Sequence, residues 1–261
     1  MYRFRRIFYY LGSLFTLMRG VRNWSVLFRL GLHRSTGSIL VLRDGTQYAV
    51  RSLMDAWIVK ETNLDRDYER HGATIEDGWN VVDVGAGLGD FTVYAAQRTP
   101  HGRVFAYEPA PGSVSLLERN LALNAISNVQ VFPHAVSARA GTLHLDVSGN
   151  EAVRYRTTGN SSDNGARITV QSVPLADVLA MLPRGVCDYL KMDCEGAEYD
   201  ILLNLDDIVM RKIKRVCLEY HLFVTQYSQV DLVDFFENKG WYVHLYPSKV
   251  RKDLGFLYAE R

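Results

Sequence analysis

The stretch Asn80-Val-Val-Asp-Val-Gly-Ala-Gly-Leu-Gly-Asp-Phe-Thr92 constrains the fold more than any other part of the chain. A short apolar run of buried-strand character passes through glycines 85, 87 and 89 into a segment, Phe91 to Gln97, of helical composition. Without Cβ atoms, such a turn lets a ligand approach the backbone closely. The spacing is not the dinucleotide fingerprint, whose third small residue falls three positions after the second, where Asp90 stands. Asp83, at the strand end, would repel a pyrophosphate and attract an ammonium. The pattern therefore favours a cationic cofactor, as S-adenosylmethionine is.

A glycine turn of this kind serves many folds, and the next element narrows the choice. Arg103-Val-Phe-Ala-Tyr-Glu-Pro109 reads as a second apolar strand closing in an acid. Glu108 lies about twenty residues beyond Gly87, where a doubly wound sheet sets a carboxylate against a ribose diol. From residue 80 the alternation is regular: strand 80–84, helix 89–98, strand 103–107, helix 112–124, strand 129–132. Strand and helix in turn imply an α/β fold, a doubly wound, mostly parallel, seven-stranded Rossmann-like sheet with right-handed crossovers. Residues 241–246 and 255–258 complete it, the last as an antiparallel strand.

The chain of 261 residues suits a core domain over 77–261, with an insertion at 141–173, preceded by a basic, apolar extension and cap over 1–76. Within the extension, 38–50 reads as a hairpin about Asp44-Gly45, and 55–68 as one helix. In the insertion, two strand-like runs, 142–147 and 167–173, flank the polar stretch 148–165, which includes Arg154, Tyr155 and Arg156. A loop this long is a substrate-facing lid or is disordered.

Net charge is +1, so no global field argues for nucleic acid as a partner. Cys187, Cys194 and Cys217 have no zinc-site spacing and suit a reducing compartment as small buried hydrophobes. Charge is uneven, however. Arginines 3, 5, 6, 19, 22, 29, 34 and 43 precede the first acid, Asp44, among Phe4, Phe8, Tyr9, Phe15, Trp24 and Phe28. The uncharged run Ile7 to Met18 is too short to span a bilayer and lacks a cleavage signature. It reads first as a helix covering the domain or forming a homodimer contact, and second as an interfacial helix on anionic lipid. The placement that follows is cytoplasmic, with peripheral attachment at the inner membrane face under the second reading.

Chemistry gathers later in the chain. Asp188-Tyr-Leu-Lys-Met-Asp-Cys-Glu-Gly-Ala-Glu198 is a strand running into three carboxylates about a glycine. Ligands of open α/β sheets lie beyond the carboxyl ends of the strands, where Asp193 and Glu195 join Glu108 and Asp83. Glu198 opens a helix over 197–203, where the dipole favours an acid. In Arg215-Val-Cys-Leu-Glu-Tyr-His221, Glu219 and His221 project to one side of an extended strand. A histidine oriented by a carboxylate can move a proton near neutral pH, and both groups can equally be solvated at a loop.

These segments, Val81–Thr92, Tyr107-Glu-Pro109, Leu190–Glu198 and Leu218-Glu-Tyr-His221, together resemble the FkbM family of S-adenosylmethionine-dependent class I methyltransferases, over about residues 38 to 260. The resemblance implies that Gly85, Gly87 and Gly89 face the methionine part of the cofactor, Asp83 its amino group and Glu108 the ribose. Phe91 and Pro109 belong to the same two motifs, and Asn124 fits the pattern. Phe132-Pro-His-Ala-Val136 departs from it, lacking the acid that reads adenine in many class I enzymes.

The expected reaction is O-methylation of a hydroxyl on a small molecule, sugar, glycan or glycolipid. Asp193 or His221 would be the base, and Glu195 and Glu219 would orient substrate or base. A rival within the class has Asp193, Glu195 and Glu219 hold Mg2+. Outside it stand a catalytically silent nucleoside-binding scaffold for protein or membrane association and, third, an NAD(P)-dependent oxidoreductase.

Overall fold

The computed structural model describes residues 2–32, 37–146, 167–222, 224–248 and 250–261, with side chains from residue 9 onward except that of Asp146. Its strands are β1 (Ser38–Val41), β2 (Gln47–Val50), β3 (Asn80–Val84), β4 (Arg103–Tyr107), β5 (Val129–Phe132), β6 (Ala135–Ser137), β7 (Gly141–Asp146), β8 (Arg167–Pro174), β9 (Tyr189–Met192), β10 (Arg215–His221), β11 (Tyr242–Pro247) and β12 (Leu254–Glu260).

Seven of these form one sheet in the order β11-β12-β10-β9-β3-β4-β5, with β12 antiparallel to both neighbours and the other pairs parallel. All five residues of β3 are buried, as a central strand covered on both faces requires. The chain runs outward from β3 through β4 to β5, then returns to place β9 and β10 on the other side of β3. This reversal opens a crevice at the carboxyl end of β3, where ligands of such sheets bind. Gly89, at φ 85°, turns the chain there into the helix Asp90–Arg98.

The hairpin β1–β2 forms as expected and is clamped onto the helix Pro111–Leu123 by two asparagines. Asn120, fully buried, accepts the Ala49 N–H at 2.6 Å and donates to the Leu88 carbonyl at 2.8 Å. Asn124 bonds both backbone groups of Gln47, at 2.9 and 2.7 Å. Its place in the sequence pattern thus corresponds to holding the cap.

The single helix expected over 55–68 is broken. An α-helix, Leu53–Val59, widens into a π-turn, Lys60–Leu64, and after Arg66 at φ 58° a short helix, Asp67–Arg70, follows. Tertiary contact explains the break. Lys60 is turned inward, only 1% exposed, to donate to Ser13 Oγ at 2.8 Å and pair with Asp65, beneath the first helix, Tyr2–Gly20.

The runs in the insertion pair, but outside the main sheet: β8 lies between β6, parallel, and β7, antiparallel. The expected lid, 148–165, falls outside the described residues.

Candidate active site

The crevice at the end of β3 is a cavity of about 750 Å3. Gly85, Gly87, Glu108 and Pro109 form one wall, Asp193, Glu195, Glu219 and His221 a second, and Tyr9, Tyr10 and Trp57 of the cap a third. Eight of the residues expected at the site therefore meet around one space.

Each glycine of the turn has its own reason. Gly85, at φ 75°, passes so close to the next loop that a Cβ would lie 1.9 Å from the Asp193 carbonyl oxygen. Gly87, at φ 55°, faces open space, with nothing within 4 Å of a Cβ, so its bare backbone is a cradle for a ligand. Gly89 belongs to the interior instead, where a Cβ would meet Leu117 at 2.9 Å. Glu108 is 5% exposed, and its carboxylate is set by the N–H groups of Gly87 and Ala110, each at 2.9 Å. Burial pushes its pKa up. A carboxylate fixed beside a bare glycine turn suits the diol and the cationic arm of S-adenosylmethionine, so the residues present fit that cofactor.

Two further expectations change. Asp83 does not line the cavity: it is fully buried, accepts from the Thr92 hydroxyl at 2.6 Å, and pairs with Lys191 Nζ at 3.0 Å. An ammonium in the cavity meets no Asp83 carboxylate, because the protein's own ammonium already occupies it. Phe91, 1% exposed, likewise leaves the wall to pack edge-on against Tyr68, ring centroids 5.1 Å apart.

Lys191 and Tyr68 join the site without standing out as site residues in the sequence. Lys191 Nζ also donates to the Gly85 carbonyl at 2.8 Å, tying the glycine turn to β9. Burial opposes its charge, and Asp83 with Asp193 and Asp90 overcomes this, so its pKa is raised. Its signal in the sequence is its place two residues before Asp193 in the segment Leu190–Glu198. Tyr68 donates to Asp193 Oδ2 at 3.1 Å from a cap element whose sequence carries no motif.

The second wall is dense with charge. His221 Nδ1 lies 3.2 Å from Glu198 Oε1, and its Nε2 lies 3.9 Å from Asp193 and 3.8 Å from Glu195. Burial opposes the imidazolium, but the Glu198 hydrogen bond and the charges of Glu198, Asp193 and Glu219 push its pKa up to about 10. Glu198 is fully buried and accepts the N–H groups of Cys194 and Gly196 at 2.9 and 2.8 Å, so it both anchors its helix and orients His221. Burial, then Asp193, drives the Glu219 pKa well up. Glu195 stands at φ 53°, a left-handed conformation costing a non-glycine residue about 1 to 2 kcal/mol. Such strain persists where the surroundings hold it, as at a ligand site. One ligand atom each from Asp193, Glu219 and His221 falls within 4.8 Å of the others, a grouping able to hold a metal ion. Glu195, expected in that set, is not part of it. The three cysteines are free, Cys187 and Cys217 buried and Cys194 half-buried.

Residues 83–242 match the family model described as the methyltransferase FkbM domain. The chain is 33% identical over 201 residues to methyltransferase sdnD of Sordaria araneosa, covering 66% of this chain and 77% of that one. It is 28% identical over 194 residues to 31-O-demethyl-FK506 methyltransferase FkbM of Streptomyces tacrolimicus, covering 63% and 74%. Among solved structures, methyltransferase FkbM of Methylobacillus flagellatus aligns over 71% of this chain and 44% of that one, at 16% identity and a TM-score of 0.49.

Proposed function

The chain belongs to the FkbM family of S-adenosylmethionine-dependent methyltransferases, and from that premise we propose that it methylates a hydroxyl oxygen of a small molecule, sugar or glycolipid. The observation that carries the reading is the cluster of Asp193, Glu195, Glu219 and His221 facing Gly87 and Glu108 across one cavity. Proton-handling groups are needed for a hydroxyl nucleophile, which is weak until its proton leaves. The relative from Streptomyces tacrolimicus bears a name that places its methyl on oxygen, which supports the same choice.

Bound S-adenosylmethionine supplies an electrophilic methyl on a sulfonium, whose sulfur leaves with the bonding pair as a neutral thioether. Gly87 would admit the cofactor to the backbone and Glu108 would accept hydrogen bonds from its ribose. Asp193 would take the proton of the acceptor hydroxyl as that oxygen is methylated. Asp193 is assigned this step over His221 because the surrounding carboxylates keep the imidazole protonated. His221, held by Glu198, would fix the direction of Asp193, and Glu195 and Glu219 would hold the acceptor. Alignment of nucleophile, carbon and sulfur is worth up to about 7 to 11 kcal/mol in favourable intramolecular cases.

A second reading has its own observation, the ligand grouping of Asp193, Glu219 and His221. A divalent ion there would polarise the hydroxyl directly. Transfer of labelled methyl from S-adenosylmethionine to a panel of hydroxyl acceptors, with calorimetric titration of S-adenosylhomocysteine, NAD and NADP, tests the proposal. Binding of S-adenosylhomocysteine with turnover is expected. Binding without transfer to any acceptor would return the silent scaffold, and binding of NAD alone the oxidoreductase. Loss of turnover in EDTA, restored by Mg2+, would establish the metal reading.

A further inference from the structure

The first helix, Tyr2–Gly20, and the second, Ser25–Gly31, do only part of what a covering helix does. Ser13, Leu17, Val21, Val26 and Leu30 turn inward, the last four joining the core formed with Leu40, Leu42 and Val50. The opposite side should then be polar. Instead Leu11, Leu14, Phe15 and Met18, spaced as one helical stripe, are 52% to 64% exposed, and Trp24, Phe28 and Leu32 continue the apolar exposure. Arg19, Arg22, Arg29 and Arg43 are exposed among them, and no acid occurs before Asp44. The two helices thus carry exposed apolar stripes whose own exposed charges, Arg19, Arg22 and Arg29, are all positive.

We propose that this face docks on an anionic phospholipid bilayer, its apolar side chains entering the headgroup boundary and its arginines pairing with lipid phosphates. Charge complementarity selects the occupant: an apolar subunit contact needs no excess of one charge, whereas the arginines at 19, 22 and 29, with no acid on either helix, match an anionic surface. No helix among the described residues is long and apolar enough to cross a membrane, so the attachment is peripheral. The face reaches the active site. Tyr10, Leu53 and Met54 are exposed and also line the cavity, and Leu53 lies 3.4 Å from where a Cβ on Gly31 would stand. Docking therefore sets the cavity mouth at the lipid surface. The consequence that the acceptor is an amphiphile presenting its hydroxyl at that surface rests on the reaction proposed above, whereas the docking does not.

The test is co-sedimentation of the full chain with vesicles of phosphatidylcholine alone or mixed with phosphatidylglycerol, at low and high salt. Binding to the mixed vesicles, weakened by salt, is expected. Phe15→Ser and Phe28→Ser should each lower partitioning roughly tenfold, and Arg22→Ser about fivefold. All three positions are exposed and outside the cavity, and circular dichroism verifies that each variant is folded. Equal binding to both vesicle types, binding to neither, or folded variants that partition like wild type would overturn the proposal. So would a concentration-dependent dimer lost in the same variants, since a second copy would then cover the face. S-adenosylhomocysteine binding, measured on the same samples without vesicles, tests the methyltransferase reading separately.

Discussion

Lys191 and Asp83 sit directly opposite each other on the parallel strands β9 and β3, with Nζ 3.0 Å from Oδ1 and both side chains almost wholly removed from water. The pair is a fastening under the active site: Lys191 also holds the Gly85 carbonyl, and Thr92 holds the other oxygen of Asp83. Removing one member of such a pair leaves a buried charge uncompensated. Lys191→Met is therefore expected to lower unfolding free energy by about 3 to 5 kcal/mol. Adding Asp83→Leu should recover at least half of that loss. Urea denaturation reads both, and a double variant no more stable than the single one would refute the pairing as the cause.

Gly85 and Gly87 should fail differently. Gly85→Ala forces a Cβ into the Asp193 carbonyl and should reduce stability, read as a lower Tm. Gly87→Asn introduces a residue that tolerates left-handed backbone, so its effect isolates the side chain placed in the cavity. A Tm near that of wild type with S-adenosylhomocysteine affinity lowered at least tenfold is expected. Glu108→Ala should weaken the same binding by about 1 to 3 kcal/mol through the lost ribose contacts. Unchanged affinity in both folded variants would move the cofactor elsewhere.

Asp193→Asn keeps the side chain's shape and removes its ability to take a proton. Methyl transfer should fall by roughly 10² to 10⁴ in kcat, with S-adenosylhomocysteine affinity within about threefold of wild type. Glu198→Gln, which acts through His221, should lower kcat less and leave KM for the acceptor nearly constant. A rate in Asp193→Asn equal to wild type would exclude Asp193 as the proton acceptor.

Asp90 offers a test in pH. Burial, reinforced by Asp83 and opposed by Lys191 and the Thr62 hydroxyl, raises its pKa from 3.8 to about 7 in the folded chain. An acid that binds its proton more tightly when folded favours folding most below its unfolded value, and that contribution is lost as pH rises through the folded one. Between pH 4 and 8 it should therefore remove at most about 4 kcal/mol of stability. Asp90→Asn, measured by denaturation across that range, should show a flatter decline and be the more stable protein at pH 8. Parallel pH profiles for variant and wild type would contradict the buried-acid account.

Much of the fold could be read from local patterns, because strand, glycine turn and helix at 80–98 each need only neighbours in sequence. The continuous apolar run of β3 announces a strand covered on both faces, β4 and β9 run directly into Glu108 and Asp193, and β10 carries Glu219 and His221 at its end, all at the edge where the cavity lies. The family followed from the same segments, since their residues must stand together at one sheet edge.

Tertiary structure alone decided which way several of those residues face. In a strand covered on both sides neither side is water, so alternation along β3 cannot tell whether Asp83 looks into a cavity or toward Lys191, and the register of β3 against β9 settles it. Gly89 and Phe91 belong to the turn in sequence yet to the interior in space, because Leu117 and Tyr68 arrive from distant segments. Helical period likewise shows that residues 9–32 carry apolar residues all round, without saying which set the core takes. Packing against the π-turn Lys60–Leu64 and against β1 and β2 selected Leu17, Val21, Val26 and Leu30, and left Phe15 and Phe28 outside, since a helix can bury only one side against a single surface.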